Sequence, residues 1–233
     1  MKKSLADHAY NVIKRDIITC ELDPGAQIAQ SSLVDRYGVG ITPIREALKR
    51  LEQDGYVQSV PRFGYIISTI TISDVKDIYE LRLILETASV RLAAERASDE
   101  QLAEINENAG FSYRYKDRES YLQFLEFNTF FHTMVAKASG NQRLANALEE
   151  LLNAMTRIFN LGLDLRDSAE EMRNEHLRLA NALCQHDPDL SAKIINEQVL
   201  SSQQRVLEMM WTRMGGNQVD LNPVSSKIYR KAE

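Results

Sequence analysis

The chain has 233 residues, 44% of them hydrophobic and 26% charged, which is enough for one large or two modest folding units with real cores. A net charge of −5 argues against wholesale coating of a polyanion, and no run of about 18 apolar residues marks a membrane span. The two cysteines, Cys20 and Cys184, form neither a CxxC pair nor a disulfide framework, so a reduced cytoplasmic setting is expected.

Charge is divided unevenly. Residues 1–70 hold nine Lys/Arg against eight Asp/Glu, whereas the rest hold 19 against 25, so only the first third is electrostatically free to approach a polyanion. After its two lysines the N-terminus runs amphipathic and lacks the continuous apolar core of a signal peptide. Leu5, Ala9, Val12, Ile13 and Ile17 follow the 3.6-residue period of a helix with one buried face, stopped by "LDPGAQ". A second helix, "SSLVDRY", starts with serines suited to capping and ends at Gly38; a third, "ITPIREALKRLEQDG", buries Ile44, Ala47, Leu48 and Leu51 and ends at Gly55. Two β-leaning runs around "PRFG" then read as a hairpin. Three short helices followed by a hairpin is the order of a winged helix-turn-helix.

Past Thr71 the punctuation changes to long amphipathic helices almost free of Pro and Gly, which places a boundary near residue 70. Thr71 and Asp74 match a capping box. Helices are predicted at about 72–96, 99–110, 118–139, 141–160, 168–186 and 188–213. The fold class is therefore mainly α: a winged helix-turn-helix over 1–70, then an antiparallel all-α bundle of six or seven helices over 71–214. The tail, 215–233, lacks an apolar period and is expected to be partly disordered or docked on a neighbour.

In a helix-turn-helix the second helix enters the major groove with its N-terminal residues at the base edges. Here that helix has Pro43 in its first turn, where a missing N–H costs nothing, and Arg45 close behind, where a guanidinium can pair with guanine. Ser31, Ser32 and the free N–H groups beside them can hold a phosphate. Arg62 and Gly64 at the hairpin tip would let a wing approach the backbone or the minor groove.

From "LDPGAQ" through "TPIREALKRLEQDGYV" to "PRFGYIIS" this segment resembles the winged-helix domain of the GntR family of bacterial transcription regulators. The resemblance assigns Thr42, Pro43 and Arg45 to the recognition helix and Arg62 to Gly64 to the wing. Two departures bear on the operator sequence: Gly40 and Ile41 stand where the family usually has Ser or Thr followed by Arg, and Gln30 stands where an acidic residue is frequent.

The second part, through "YELRLILETASVRLAA", "NTFFHTMVAKASGN" and "NEHLRLANALCQHDPDLSA", resembles the helical FCD effector domain of the FadR-type branch. In that branch one Asp and three His commonly bind a divalent metal beside a pocket for a small carboxylate. The corresponding residues here are Asn128, His132, His176 and Gln198. Periodicity places all four on apolar helix faces, where polar groups are costly unless they meet partners.

Two histidines with no carboxylate, joined by two amides, make a poor site for zinc or nickel. No cofactor is expected, and if any metal is retained His132 and His176 would hold it. The favoured reading is a metal-free effector pocket of Asn128, His132, His176 and Gln198. Arg82 either assists it as an anion clamp, the favoured role, or instead forms an exposed i,i+4 pair with Glu86. No Glu-x-x-His pair, HExxH, GxSxG or Gly-rich phosphate loop suggests an enzyme. The resemblance implies a homodimeric regulator, acting as a repressor, that binds a palindromic operator and senses a small carboxylate or related metabolite.

Overall fold

The computed structural model describes residues 4–163 and 166–213, apart from the side chains of Leu161 and Arg213. The predicted tail at 215–233 lies outside the described residues. Three short helices, α1 (Leu5–Ile18), α2 (Gln30–Tyr37) and α3 (Ile41–Gln53), come first. The strands β1 (Gln27–Ile28), β2 (Val57–Val60) and β3 (Gly64–Ile67) make an antiparallel sheet in the order β1-β3-β2.

At α1, Ser4 and Asp7 form a reciprocal capping box that satisfies backbone donors left free at the N-terminus. By contrast α2 starts at Gln30 behind Ala29, with no side-chain cap; Ser31 and Ser32 lie inside its first turn, so they do not cap it. It ends on Gly38 at φ 62°, a left-handed position that glycine adopts without strain.

A first core gathers Ala9, Ile13 and Ile17 of α1 with Leu33, Ile44, Ala47, Leu48, Leu51, Val57 and Ile67. Leu5 departs from its predicted face: it sits in the first turn of α1 and is 65% exposed. Asp16 is a polar member that periodicity does not show. It is buried, accepts hydrogen bonds from Arg36 at 2.7 Å and Tyr37 Oη at 2.8 Å, and so ties α1 to the end of α2. The predicted hairpin is present, but the two-residue strand β1 adds to its β3 edge, pairing Gln27 with Ile66 and Ile28 with Tyr65.

From Ile72 onward the elements among the described residues are all helices: α4 (Ile72–Arg96), α5 (Asp99–Glu107), α6 (Arg118–Ala138), α7 (Gln142–Leu163), α8 (Ala169–Cys184) and α9 (Pro188–Arg213). The Thr71–Asp74 capping box starts α4 as expected. These six helices surround a second core, with α4 packed along α9 and α6 along α7. No helix among the described residues is long and apolar enough to cross a membrane.

The two parts meet where α1 faces α6 and α7. A cleft of about 410 Å³ lies there, lined by Asn11, Lys14 and Ile18 of α1 and by Glu126, Thr129 and Phe130 of α6. Arg118 and Glu21 form an ion pair between the two parts. Arg157 of α7 is buried near Cys20, and its Nε and Nη2 have no hydrogen-bond partner among the described residues. Burial pushes its pKa down, since a guanidinium away from water loses hydration that nothing here fully replaces.

Candidate functional site

Two surfaces matter: the N-terminal ends of α2 and α3 with the hairpin tip, and the polar cluster inside the bundle. At the first, Ser31 and Ser32 are exposed in the opening turn of α2, where the N–H groups of Gln30, Ser31 and Ser32 precede the first intrahelical bond, from Leu33 to Ala29. Ser32 Oγ donates to the Ala29 carbonyl at 2.8 Å. In α3, Thr42 and Arg45 are exposed, Pro43 is half-buried, and the residue before the helix, Gly40, provides no side-chain cap. The end of α3 is thus left open for an anion or a base edge.

The wing is held more rigidly than its sequence suggests. Gln27 Nε2 donates to the Phe63 carbonyl at 2.6 Å, and Phe63 N–H donates to Val60 O at 3.0 Å. Arg62 is exposed at φ 69°. Gly64 is half-buried at φ 92°, and a Cβ there would lie 2.7 Å from the Ile28 carbonyl oxygen. That close approach of β1 is a structural reason for glycine at this position, distinct from any approach to DNA.

Inside the bundle the four residues read from sequence do come together. Asn128 and His132 project from α6, His176 from α8 and Gln198 from α9, each at most 5% exposed. His176 Nε2 lies 3.2 Å from Asn128 Oδ1, and Gln198 Nε2 lies 3.5 Å from His132 Nε2. The two imidazole centroids are 5.3 Å apart. Burial, reinforced by His132 and Arg82 nearby, holds His176 well below the ordinary histidine range and therefore neutral. It donates from Nε2 to Asn128, which leaves its Nδ1 lone pair without a partner; Gln198 Oε1 is likewise unpartnered among the described residues.

Two expectations need correction here. The Arg82–Glu86 pair is not an exposed helix pair: both side chains are 2% exposed, with Nε and Oε1 at 2.5 Å. The cluster also includes a carboxylate after all, because Glu86 Oε2 accepts from His132 Nδ1 at 2.6 Å. The i,i+4 spacing from Arg82 was legible, but the crossing of α4 over α6 that seats Glu86 on His132 is tertiary. Burial alone would raise the Glu86 pKa; Arg82 and His132 outweigh it and hold it at about 2.

Arg82 and Gln198 line a cavity of about 30 Å³ together with Asn128, Ser202, Glu175 and Arg205. Arg205 was not singled out from sequence. It is buried, and it binds Glu171 at 2.9 Å and Glu175 at 3.1 Å, which ties α9 to α8. Its place seven residues after Gln198, two helical turns on the same face, was the available signal. Ser202 accepts from Arg82 Nη1 at 3.4 Å and shares a 2.8 Å hydrogen bond with Tyr79.

The donor set does not fit a divalent metal. The histidine spacing suits it, since two imidazoles on one ion with Zn–N near 2.1 Å have centroids roughly 5 Å apart. Glu86, however, is spent on His132 from behind, the inward partners are amides, and no three His, Cys, Asp or Glu residues among the described ones converge as a metal site.

Comparison with known proteins follows the same division. Residues 5–67 match the model of the gntR family of bacterial regulatory proteins, and residues 77–200 match that of the FCD domain. The chain is 32% identical over 173 residues to the HTH-type transcriptional regulator YdhC of Bacillus subtilis (strain 168), covering 73% of this chain and 76% of that one. It is 25% identical over 180 residues to the HTH-type transcriptional repressor RspR of Escherichia coli (strain K12), covering 77% and 79%. Among solved structures, a GntR-type transcriptional regulator from Rhodococcus sp. RHA1 superposes with a TM-score of 0.68 at 17% identity, covering 88% of this chain and 98% of that one. E. coli McbR/YncC superposes at 0.63 with 22% identity, covering 91% and 99%.

Proposed function

The chain belongs to the gntR family of bacterial regulatory proteins and carries an FCD domain, which makes it a DNA-binding transcription regulator and not an enzyme, and from that premise we propose a ligand-responsive repressor. In this reading residues 1–70 bind DNA, residues 71–214 bind the effector and dimerise, and the homodimer places one winged helix on each half of a palindromic operator. The observation that carries it is the open N-terminal end of α3, with Thr42 and Arg45 exposed over a fully packed core. Ser31, Ser32 and Arg62 contribute phosphate contacts around it.

If Arg45 reads a base, Arg45→Ala loses more than about tenfold in affinity for the operator while weak, salt-dependent binding to random DNA persists. Fluorescence anisotropy at two salt concentrations checks this; equal operator affinity in both proteins removes Arg45 from the reading face.

The effector pocket in this reading is Arg82, Asn128, Gln198 and Arg205, which line the cavity, with His176 and His132 outside its lining, against Asn128 and Gln198. A cavity of about 30 Å³ holds a water or two, so an effector enters only when the walls move. Both arginines already face internal carboxylates, which supports a small carboxylate as the incoming group: it would take the place of Glu175 and Glu171 on Arg205 and release α8 from α9. A route to the DNA side exists. Leu125 of α6 forms part of the wall of this cavity and of the cleft against α1, and α1 packs on α3. Effector binding would thereby shift the population of winged-helix placements.

A thermal-shift screen of small carboxylates, beside neutral polyols of equal size, tests the pocket. A carboxylate is expected to raise the melting temperature and weaken operator binding in the wild type, and Arg205→Gln abolishes both effects. Stabilisation by polyols alone overturns the carboxylate, and stabilisation that survives in Arg205→Gln moves the site elsewhere.

A further inference from the structure

Among the described residues up to 70, large apolar side chains left uncovered are few: Leu5, Ile41 and Phe63. Two of the three stand where a winged helix meets DNA. Ile41 is the first residue of α3 and is 45% exposed, directly before Thr42 and Arg45. Phe63 is the hairpin tip and is 64% exposed, directly after Arg62.

Neither exposure is a by-product of a loose segment. Ile41 is fixed by a helix whose next turn is buried at Ile44, Ala47 and Leu48. Phe63 has its N–H bound to Val60 and its carbonyl bound by Gln27, so the backbone is clamped while the ring stands in solvent. Among the described residues its ring stacks on no other aromatic ring. Single surface hydrophobics are ordinary. Two held rigidly at the positions that address a duplex call for an apolar partner there.

DNA offers two apolar targets. The major groove presents the C5 methyl group of thymine, and the minor groove admits apolar wedges at base steps that unstack easily, pyrimidine–purine steps above all. We propose that this chain reads its operator partly by apolar contact, Ile41 against a thymine methyl in the major groove and Phe63 as a wedge at a flexible step of the flanking minor groove. The proposal rests on the DNA-binding reading above and adds what the operator must contain: a thymine in each half-site opposite the start of α3, and a TA or CA step under each wing. Because both contacts are uncharged, they alter sequence preference and leave the salt dependence of binding unchanged, whereas Arg62→Ala lowers the salt slope by about one.

The test uses full-length protein and an operator selected with it from a random-sequence pool. Each thymine is replaced singly by uracil, which deletes only the methyl group. One replacement per half-site is expected to weaken wild-type binding about fourfold, the worth of one buried methyl, and to have no effect on Ile41→Ala. In parallel, 2-aminopurine is placed at each step under the wing. Its fluorescence rises on binding of wild type and of Phe63→Leu but not of Phe63→Ala, as unstacking by a bulky apolar side chain requires. Uracil replacements that affect wild type and Ile41→Ala alike overturn the thymine contact, and 2-aminopurine signals equal in wild type and Phe63→Ala overturn the wedge. If the wild type selects no sequence at all, the DNA-binding reading itself fails, a separate outcome.

Discussion

Replacing Asn128 by Asp and Gln198 by His together is expected to create a divalent metal site where the wild type has none of consequence. The chemistry is already half built. His132 and His176 stand 5.3 Å apart, centroid to centroid, and Glu86 binds His132 Nδ1, the orienting partner that metal-ligating histidines ordinarily use. What is missing is negative charge and a third imidazole on the inward side, which the two substitutions supply. Elemental analysis of protein purified without chelator should find about one equivalent of zinc or nickel in Asn128→Asp/Gln198→His and well under that in the wild type. A stoichiometric metal in the wild type would overturn the metal-free pocket. A double variant that folds but binds no metal would show that Gln198 does not stand in the ligand position.

The second large effect lies on the other side of the same histidine. Glu86 has both oxygens engaged, one by Arg82 and one by His132, with all three side chains at most 2% exposed. Removing one member of a buried ionic group leaves the others uncompensated, so Glu86→Gln should lose about 3–5 kcal/mol of stability. Urea unfolding checks this, and an unchanged midpoint would sink the account. The pH dependence has a definite sign. A folded pKa of about 2 lies below the ordinary 4.5, so the contribution is fully present above pH 4.5 and is lost as pH falls towards 2. That loss, on the order of 3 kcal/mol for a shift of this size, should vanish from the acid limb of the Glu86→Gln profile.

The sequence carried the helices well because their signals are local. The Thr71–Asp74 capping box opens α4, the predicted span 188–213 is α9 as observed, and the faces of Ile44, Ala47, Leu48 and Leu51 follow from period alone. The same periodicity brought Asn128, His132, His176 and Gln198 inward, onto one cluster. It could not show their partners. Glu86 on His132, Arg205 on Glu175, and Asp16 on Tyr37 join residues 46, 30 and 21 positions apart, and such pairs depend on how helices cross. For the same reason β1 escaped notice: two residues, Gln27 and Ile28, have no period of their own and become a strand only because β3 offers an edge.

The glycine at the hairpin tip changes how genetic data on this protein should be interpreted. In a reporter-based mutational scan, any side chain at position 64 would push the hairpin off the Ile28 carbonyl, 2.7 Å from where its Cβ must go. For a repressor, loss of repression at 64 would then be indistinguishable from loss at 45, though under the proposed reading one reports a misshapen wing and the other a lost base contact. Only a parallel measure of folded protein in the cell separates a residue that touches the operator from one that lets its neighbours do so.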